Sequence, residues 1–351
     1  MKGRVVALDR IAGRGAAALI VDGRLEDLLI DPPDDGGPAV GAICRAVVDR
    51  PVKGQGGVFV KLPDGLSGFL KQAKGLAPGQ RVLVQVTGAS EAGKAVPVSL
   101  RVLFRSRYAI VTPGAPGLNI ARGIHDEGIR DRLAALAAEG MAGAPEGLGL
   151  IVRSACALAE PEEVAEDIAE TRALAEAVMA DLDGPPELLV DAPDSALSAW
   201  RDWAEPVPDE VAEGDGAFRD FGVEEMIDDL LAPVVALTGG GSMVIEPTRA
   251  LVAVDVNTGG DTSPAAALKA NIAAARDLPR QLRLRGLGGQ VVIDFAPMPK
   301  RDRATLEQVM KAAFRHEGAE TSLAGWTPLG NYELQRKRDR MPLADLLRGA
   351  R

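Results

Sequence analysis

Cysteine and aromatic residues are scarce in this chain of 351 residues. Its two cysteines, Cys44 and Cys156, are too few for a disulfide-rich fold or for a four-cysteine zinc site. Aromatic residues make up 3% of the chain, so the core must rely mainly on Ala, Val and Leu. No apolar run is long enough to span a membrane, and Met1 to Ile20 lacks the continuous apolar segment of a signal peptide. We therefore expect a soluble cytoplasmic protein. Since a domain has roughly 150 residues, the length of the chain predicts two or three domains.

Negative charge is concentrated in one block of the sequence. Residues 160–229 contain 23 of the 50 acidic residues but three of the 40 basic ones. The whole chain carries −10, yet the part outside this block carries +10. Such asymmetry is a recognised indication of polyanion binding. For the block itself, the alternative is a solvated acidic helical face.

Secondary-structure signals change along the chain. Between residues 39 and 103, five short strand candidates are separated by turns rich in Gly, Pro and Asp, a pattern typical of a closed barrel of the OB type. Strands and helices alternate after that, which predicts an α/β arrangement. We expect a loop over 205–216 and a helix over 263–285 that is broken near Pro279.

Two aspartates stand at the ends of apolar strands. Asp255 ends the run Ala253 to Asp255, and Asp294 ends the run Val291 to Asp294. A helical crossover of suitable length separates them, so the two strands could be parallel neighbours whose carboxylates converge. Mg²⁺ prefers such oxygen ligands and keeps several waters, from which it can generate a nucleophile. Asn257 shares the face of Asp255 by the strand period of two and could hold its carboxylate. The alternative is that each Asp caps the turn or helix that follows.

Basic residues flank this acidic pair on both sides. Lys300, Arg301 and Arg303 follow Asp294, and cations beside an acidic pair suit a polyanion that lies across a metal. A solvated basic helix is the alternative. The crossover contributes four arginines: Arg276, Arg280, Arg283 and Arg285.

The two strand regions closely resemble the ribonuclease E/G family. The resemblance is carried by the segments from Ser242 to Asn257 and from Arg280 to Phe295, and it extends to Pro145 to Arg153. The stretch Arg-Gln-Leu-Arg-Leu-Arg-x-Leu-Gly-Gly within the second segment is highly specific. The resemblance implies a Mg²⁺-dependent endoribonuclease that cleaves single-stranded RNA, leaving a 5'-phosphate and a 3'-hydroxyl. It also implies that Asp255 and Asp294 are catalytic metal ligands, that Asn257 supports them, and that Mn²⁺ could substitute for Mg²⁺.

The resemblance further implies a multidomain α+β and α/β fold, in which an OB-type barrel is inserted in a reduced RNase H-like domain. A 5'-sensor segment and a DNase I-like α/β catalytic domain complete it. The expected boundaries are 1–37 and 185–225 for the two parts of the RNase H-like domain, 38–103 for the barrel, 104–184 for the sensor and 226–351 for the catalytic domain.

RNA-binding residues follow from the same resemblance. Phe59, Phe69 and Lys94 resemble RNA-contacting residues of the family's barrel, and a base stacked on an aromatic ring is worth about 1–3 kcal/mol. Core packing is the alternative for each Phe. We also predict RNA contacts for Arg280, Arg283 and Arg285.

A 5'-end sensor is expected around the end of the strand over 147–152. Arg153 and Ser154 resemble the residues that hold a 5'-monophosphate in the family, and Arg122 resembles a second basic residue of that pocket. An Arg fork with a hydroxyl suits a terminal phosphate. A structural salt bridge is the alternative for Arg153.

Several family features are missing. The family's zinc-link motif is absent, since no cysteine follows Cys156, so we expect no structural zinc and leave the oligomeric state open. The family's acidic segment is replaced by Asp261 to Ala267, and Pro297 replaces an acidic residue. These departures favour the alternative function, a catalytically inactive RNA-binding protein of the same family.

Overall fold

The computed structural model describes residues 2–33, 37–52, 56–71, 74–89 and 93–348. The chain divides into two compact units, Met1–Ala17 with Leu29–Ala212 (unit 1) and Ala18–Leu28 with Glu213–Arg351 (unit 2). In chain order the strands are β1 Arg4–Ile11, β2 Arg14–Val21, β3 Arg24–Ile30, β4 Ile43–Pro51, β5 Val58–Lys61, β6 Ser67–Leu70, β7 Arg81–Val86, β8 Val96–Ser99, β9 Phe104–Arg105, β10 Ala109–Pro113, β11 Gly117–Ile120, β12 Leu148–Val152, β13 Glu187–Val190, β14 Glu210–Glu213, β15 Val234–Ala236, β16 Ser242–Pro247, β17 Val252–Asn257, β18 Gly289–Asp294, β19 Thr321–Trp326 and β20 Tyr332–Arg336. The helices are α1 Glu127–Gly140, α2 Pro161–Ala180, α3 Ser195–Asp202, α4 Ala217–Asp220, α5 Val223–Leu231, α6 Pro264–Leu284, α7 Arg303–Phe314 and α8 Leu343–Leu346.

A closed five-stranded barrel in unit 1 confirms the predicted barrel and is consistent with the OB type. Its strands follow the order β4-β5-β6-β8-β7, and β4 closes it by pairing with both β5 and β7. Side chains alternate along each strand, so Val58, Val60 and Leu70 fill the interior. The short strand β13 also pairs with β4, in the antiparallel direction, and is not part of the closed barrel.

A second sheet in unit 1 has the order β11-β12-β10-β9. Helices α1 and α2 contribute Leu133 and Ile168 to the buried cluster that this sheet forms with Val111 and Leu150. The N-cap of α1 is Asp126, whose carboxylate accepts the amide N–H of Ile129. The sequence pattern did not predict β11, which pairs in parallel with β12.

Unit 2 contains a six-stranded sheet of order β15-β16-β17-β18-β20-β19. Helices α6 and α7 pack on one face of it, where Ala274, Leu278 and Met310 join Val254 and Ile293 in a single buried cluster. The other face carries Asp255, Asn257 and Asp294.

Two predictions about secondary structure are wrong. Helix α6 runs unbroken through Pro279, which is itself buried. Proline removes one hydrogen bond, but buried residues on both sides of it, such as Ala275 and Leu282, pack in the core and hold the helix together. The stretch 205–216, expected as a loop, contains strand β14 over Glu210–Glu213. In the described ranges, no helix has the length and apolarity needed to cross a bilayer.

Candidate active site and RNA interface

Asp255 and Asp294 lie side by side at the ends of β17 and β18. The two strands pair in parallel with Asp255 directly opposite Asp294, which confirms the predicted arrangement of these strands. Buried Val252, Val254 and Val256 alternate with the residues of the polar face, so the pattern of the sequence sets the direction of the carboxylates. Asp255 and Asp294 are both exposed on that face.

Asn257 contacts one of these carboxylates. Its side-chain amide donates a hydrogen bond of 2.7 Å to Oδ2 of Asp255. Asn257 has the same exposed orientation because it follows Asp255 by two residues in the same strand. The contact fixes one oxygen of Asp255 and leaves the other available to a cation.

The chemistry of this donor set fits Mg²⁺. Like charges on directly opposite residues of neighbouring strands repel each other, and a divalent cation between them removes that cost. Mg²⁺ binds to proteins through one or two carboxylates and completes its octahedron with water. No group of three or more His, Cys, Asp or Glu gathers to hold a metal in the part of the chain that the structure describes. Two protein ligands and several waters are therefore the arrangement that this face could provide.

An aromatic cluster lies directly behind Asp294. The ring of Phe295 is 5.8 Å from that of Trp326, which in turn is 5.3 Å from that of Tyr332. The guanidinium of Arg303 stacks on Trp326 at 4.2 Å from the ring centroid. This packing anchors the end of β18 and so helps to position Asp294.

The three arginines predicted to bind RNA from helix α6 are engaged within unit 2. Arg280 binds Asp277 at 2.8 Å and the carbonyl of Leu25 at 2.7 Å. Arg283 donates to the carboxylate of Glu317 and, at 2.8 Å, to the carbonyl of Glu26. Arg285 is buried and donates to the side chain of Gln281 at 3.1 Å and to the carbonyl of Ala232 at 2.8 Å. The geometry does not support an RNA contact for Arg280, Arg283 or Arg285, because each guanidinium is already bound by the fold.

The barrel presents an aromatic pair on its outer surface. Phe59 and Phe69 are directly opposite in the pairing of β5 with β6, and their ring centroids are 5.6 Å apart. Both are half-buried and point away from the barrel interior. The guanidinium of Arg50 lies 5.4 Å from the centroid of the Phe59 ring. The sequence did not predict this contact. Lys94 is exposed just before β8.

The predicted sensor residues follow two adjacent strands. Arg122 comes after β11 and Arg153 after β12, and these strands run in parallel. Arg122 is exposed. Arg153 donates to the carbonyl of Ser106 at 2.6 Å and binds Asp202 at 2.7 Å, and Ser154 starts a short 3-10 helix. Arg153 is therefore held in a structural ion pair, and its role in binding a 5'-phosphate stays a prediction.

Comparison with known proteins agrees with the motifs. The sequence profile of the ribonuclease E/G family matches residues 104–214 and 209–339. The chain is 29% identical over 385 residues to Ribonuclease E of Nostoc sp., with 94% of this chain and 55% of that protein aligned. It is 29% identical over 309 residues to Ribonuclease G of Salmonella typhimurium, with 77% and 62% aligned. Against Ribonuclease E of Haemophilus influenzae it is 30% identical over 304 residues, with 75% and 32% aligned. The chain thus spans about half the length of the first of these relatives.

Proposed function

Since the chain belongs to the ribonuclease E/G family, we propose that it is an endoribonuclease that hydrolyses phosphodiester bonds of single-stranded RNA in RNA processing or decay. The observation that carries this proposal is the alignment of Asp255 with Asp294, with Asn257 bound to the first of them. Residues in this arrangement suit a metal-dependent nuclease better than a fold-stabilising role, since adjacent exposed carboxylates weaken a sheet.

Each residue of the site has a proposed role. Asp255 and Asp294 would hold Mg²⁺, which when bound supplies a nucleophilic water and neutralises the scissile phosphate. Asn257 keeps the Asp255 carboxylate oriented through its 2.7 Å hydrogen bond. Lys300 and Arg301 are exposed shortly after Asp294 and would bind the RNA backbone.

We assign the remaining RNA contacts to unit 1. Phe59 and Phe69 would stack on bases, Lys94 would contact phosphate, and Arg153 with Ser154 and Arg122 would bind a 5'-monophosphate end. In this proposal, 38–103 is the RNA-binding barrel, 104–184 the 5'-sensor and 226–351 a DNase I-like catalytic domain. The segments 1–37 and 185–225 are the two parts of a reduced RNase H-like domain.

The test is cleavage of a defined RNA by the purified chain. A 5'-monophosphorylated, A/U-rich single-stranded RNA should be cut in Mg²⁺ or Mn²⁺ and left intact in a chelator. Hydrolysis by water predicts products with a 3'-hydroxyl and a 5'-phosphate. A contaminating metal-independent ribonuclease would continue to cut in the chelator. The reaction of the wild type in the chelator therefore serves as the control for contamination. If the protein binds the RNA and never cuts it in either metal, the alternative function, RNA binding without catalysis, replaces this one.

A further inference from the structure

Unit 1 carries a second surface that combines arginines with an exposed tryptophan. It lies around β9, the loop after β9, the end of β12 and helix α3. We call it the arginine–tryptophan surface, and it consists of Arg101, Arg105, Arg107, Arg153, Trp200 and Arg201.

Trp200 is unusually placed for a large aromatic residue. It lies on α3 with 53% of its surface exposed, in a chain with only three tryptophans. The guanidinium of Arg107 lies 4.5 Å from the ring centroid and donates a hydrogen bond of 3.2 Å to the carbonyl of Trp200. Arg107 therefore fixes the indole from one side, while much of the ring remains open to solvent.

Positive charge on this surface exceeds the negative charge that neutralises it. Asp202 binds both Arg153 and Arg201, each at 2.7 Å. The side chains of Arg101 and Arg105 are exposed and make no hydrogen bond or ion pair with any other residue of the described ranges. The pKa of Arg105 is lowered first by desolvation and then by the positive charges of Arg201, Arg153 and Arg101. The negative charge of Asp202 opposes this shift. Arg153 and Arg201 share the single carboxylate of Asp202, so the positive charge of this surface is not fully neutralised, and a bound anion would offset it.

We propose that the arginine–tryptophan surface binds a nucleotide of single-stranded RNA, with a base stacked on Trp200 and the adjoining phosphates bound by Arg105 and Arg101. An open aromatic face beside unpaired guanidinium groups is the combination that single-stranded nucleic acid requires. An anionic peptide would use the charges and leave the aromatic face without a partner. The inference rests on the proposed function, which it extends by a contact of Trp200, Arg105 and Arg101. Of the arginine–tryptophan surface, Arg153 alone also belongs to the proposed 5'-phosphate site.

The experiment uses the full chain, a chelator that prevents cleavage, and a 5'-hydroxyl single-stranded RNA of about ten nucleotides, within the usual site sizes. Fluorescence anisotropy gives the affinity, and tryptophan fluorescence reports stacking on the indole. Trp200→Ala should weaken binding roughly 5- to 100-fold. Trp200→Phe should keep most of the affinity and lose the part of the RNA-induced fluorescence quenching that comes from the Trp200 indole. Arg105→Gln should weaken binding and reduce the salt slope of log K by about 0.7.

Matched controls come from the same unit. Leu197→Ala removes another exposed apolar side chain of α3, 49% exposed, and Arg132→Gln removes an exposed arginine of α1. Both should bind RNA as the wild type does. Thermal melting of every variant checks that it is folded. We expect Arg105→Gln to be folded, because Arg105 is exposed.

The outcomes separate this inference from the proposed function. If the wild type binds and cuts RNA while Trp200→Ala and Arg105→Gln bind as tightly as the two controls, the arginine–tryptophan surface is not an RNA site. RNA-induced quenching as large in Trp200→Phe as in the wild type would also overturn the stacking. If the wild type neither binds nor cuts any RNA, the proposed function itself has failed.

Discussion

The side-chain amide of Asn257 donates a 2.7 Å hydrogen bond to Oδ2 of Asp255, two residues earlier on the same strand. This contact orients the carboxylate without adding charge to the site. Groups that orient a metal ligand typically change metal affinity or activity 10- to 100-fold when removed. In the proposed function, Asn257 is therefore a positioning residue, and its effect should appear in the metal dependence.

For Asn257→Ala, we expect half-maximal cleavage to require about 10- to 100-fold more Mg²⁺, with RNA affinity in a chelator unchanged. A Mg²⁺ titration of the cleavage rate measures this. Gln290→Ala is the matched control, since Gln290 is an exposed amide earlier on β18. An unaltered Mg²⁺ requirement in Asn257→Ala would show that the hydrogen bond has no part in metal binding.

The sensor prediction concerns Arg153. Arg153→Ala should slow cleavage of a 5'-monophosphorylated RNA by roughly tenfold or more, because a charge-assisted contact is worth about 1.5–3 kcal/mol. Cleavage of the 5'-hydroxyl form of the same RNA should change little. Parallel assays of both substrates measure the ratio, and Arg132→Gln provides a charge-matched control. An equal loss on both substrates would identify the ion pair with Asp202 as the main role of Arg153.

The barrel prediction separates stacking from core packing. Phe59→Ala and Phe69→Ala should each weaken single-stranded RNA binding by about 1–3 kcal/mol. Both rings are half-buried, so we expect only a small change in melting temperature. Phe104, which is buried, provides the contrast, because Phe→Ala in a core costs about 3–5 kcal/mol of stability. Strongly destabilised Phe59→Ala and Phe69→Ala variants with normal RNA affinity would favour the packing alternative.

The ion pair of Asp277 with Arg280 predicts a pH-dependent contribution to stability. Burial opposes ionisation of Asp277, but hydrogen bonds and charge from Arg280, followed by the charge of Arg24, hold its pKa below the usual range. The stabilisation is therefore complete above the unfolded pKa of about 4 and is lost as the pH falls through the lower folded-state pKa. Asp277→Asn should reduce the free energy of unfolding at neutral pH by on the order of 2 kcal/mol.

Chemical denaturation at several pH values measures this effect. The difference between wild type and Asp277→Asn should shrink in acid, while Asp131→Asn, at an exposed position on α1, should match the wild type throughout. A difference that stays constant down to strongly acidic pH would contradict the assignment.

Strands β17 and β18 could be predicted because their information is local. Asp255 and Asn257 alternate with the buried Val254 and Val256, which indicates both the strand and the face of Asp255. The crossover length then indicates a parallel partner. By contrast, strand β20 was missed, although it places Glu333 beside Val292 in β18. Tyr332 and Leu334 alternate with Glu333 and Gln335, but a run of five residues is short, and its pairing depends on the neighbouring strands.

The arginines of α6 show a second limit. Their spacing indicated a basic helix, but the groups that bind them, such as Glu317 and the carbonyl of Leu25, are distant in the sequence. Sequence alone does not tell whether a guanidinium faces solvent or an internal acceptor. For the same reason, the sequence could not predict the stacking of Arg107 on Trp200, because the two residues are 93 positions apart.

The paired carboxylates provide the most direct test of the account. Asp255→Asn and Asp294→Asn keep the shape of the side chains and remove the charge that a divalent cation requires. Cleavage of a 5'-monophosphorylated single-stranded RNA should fall steeply in both variants, while RNA affinity in a chelator stays close to that of the wild type. Rates of cleavage in Mg²⁺ that match the wild type in both variants would contradict the proposed active site.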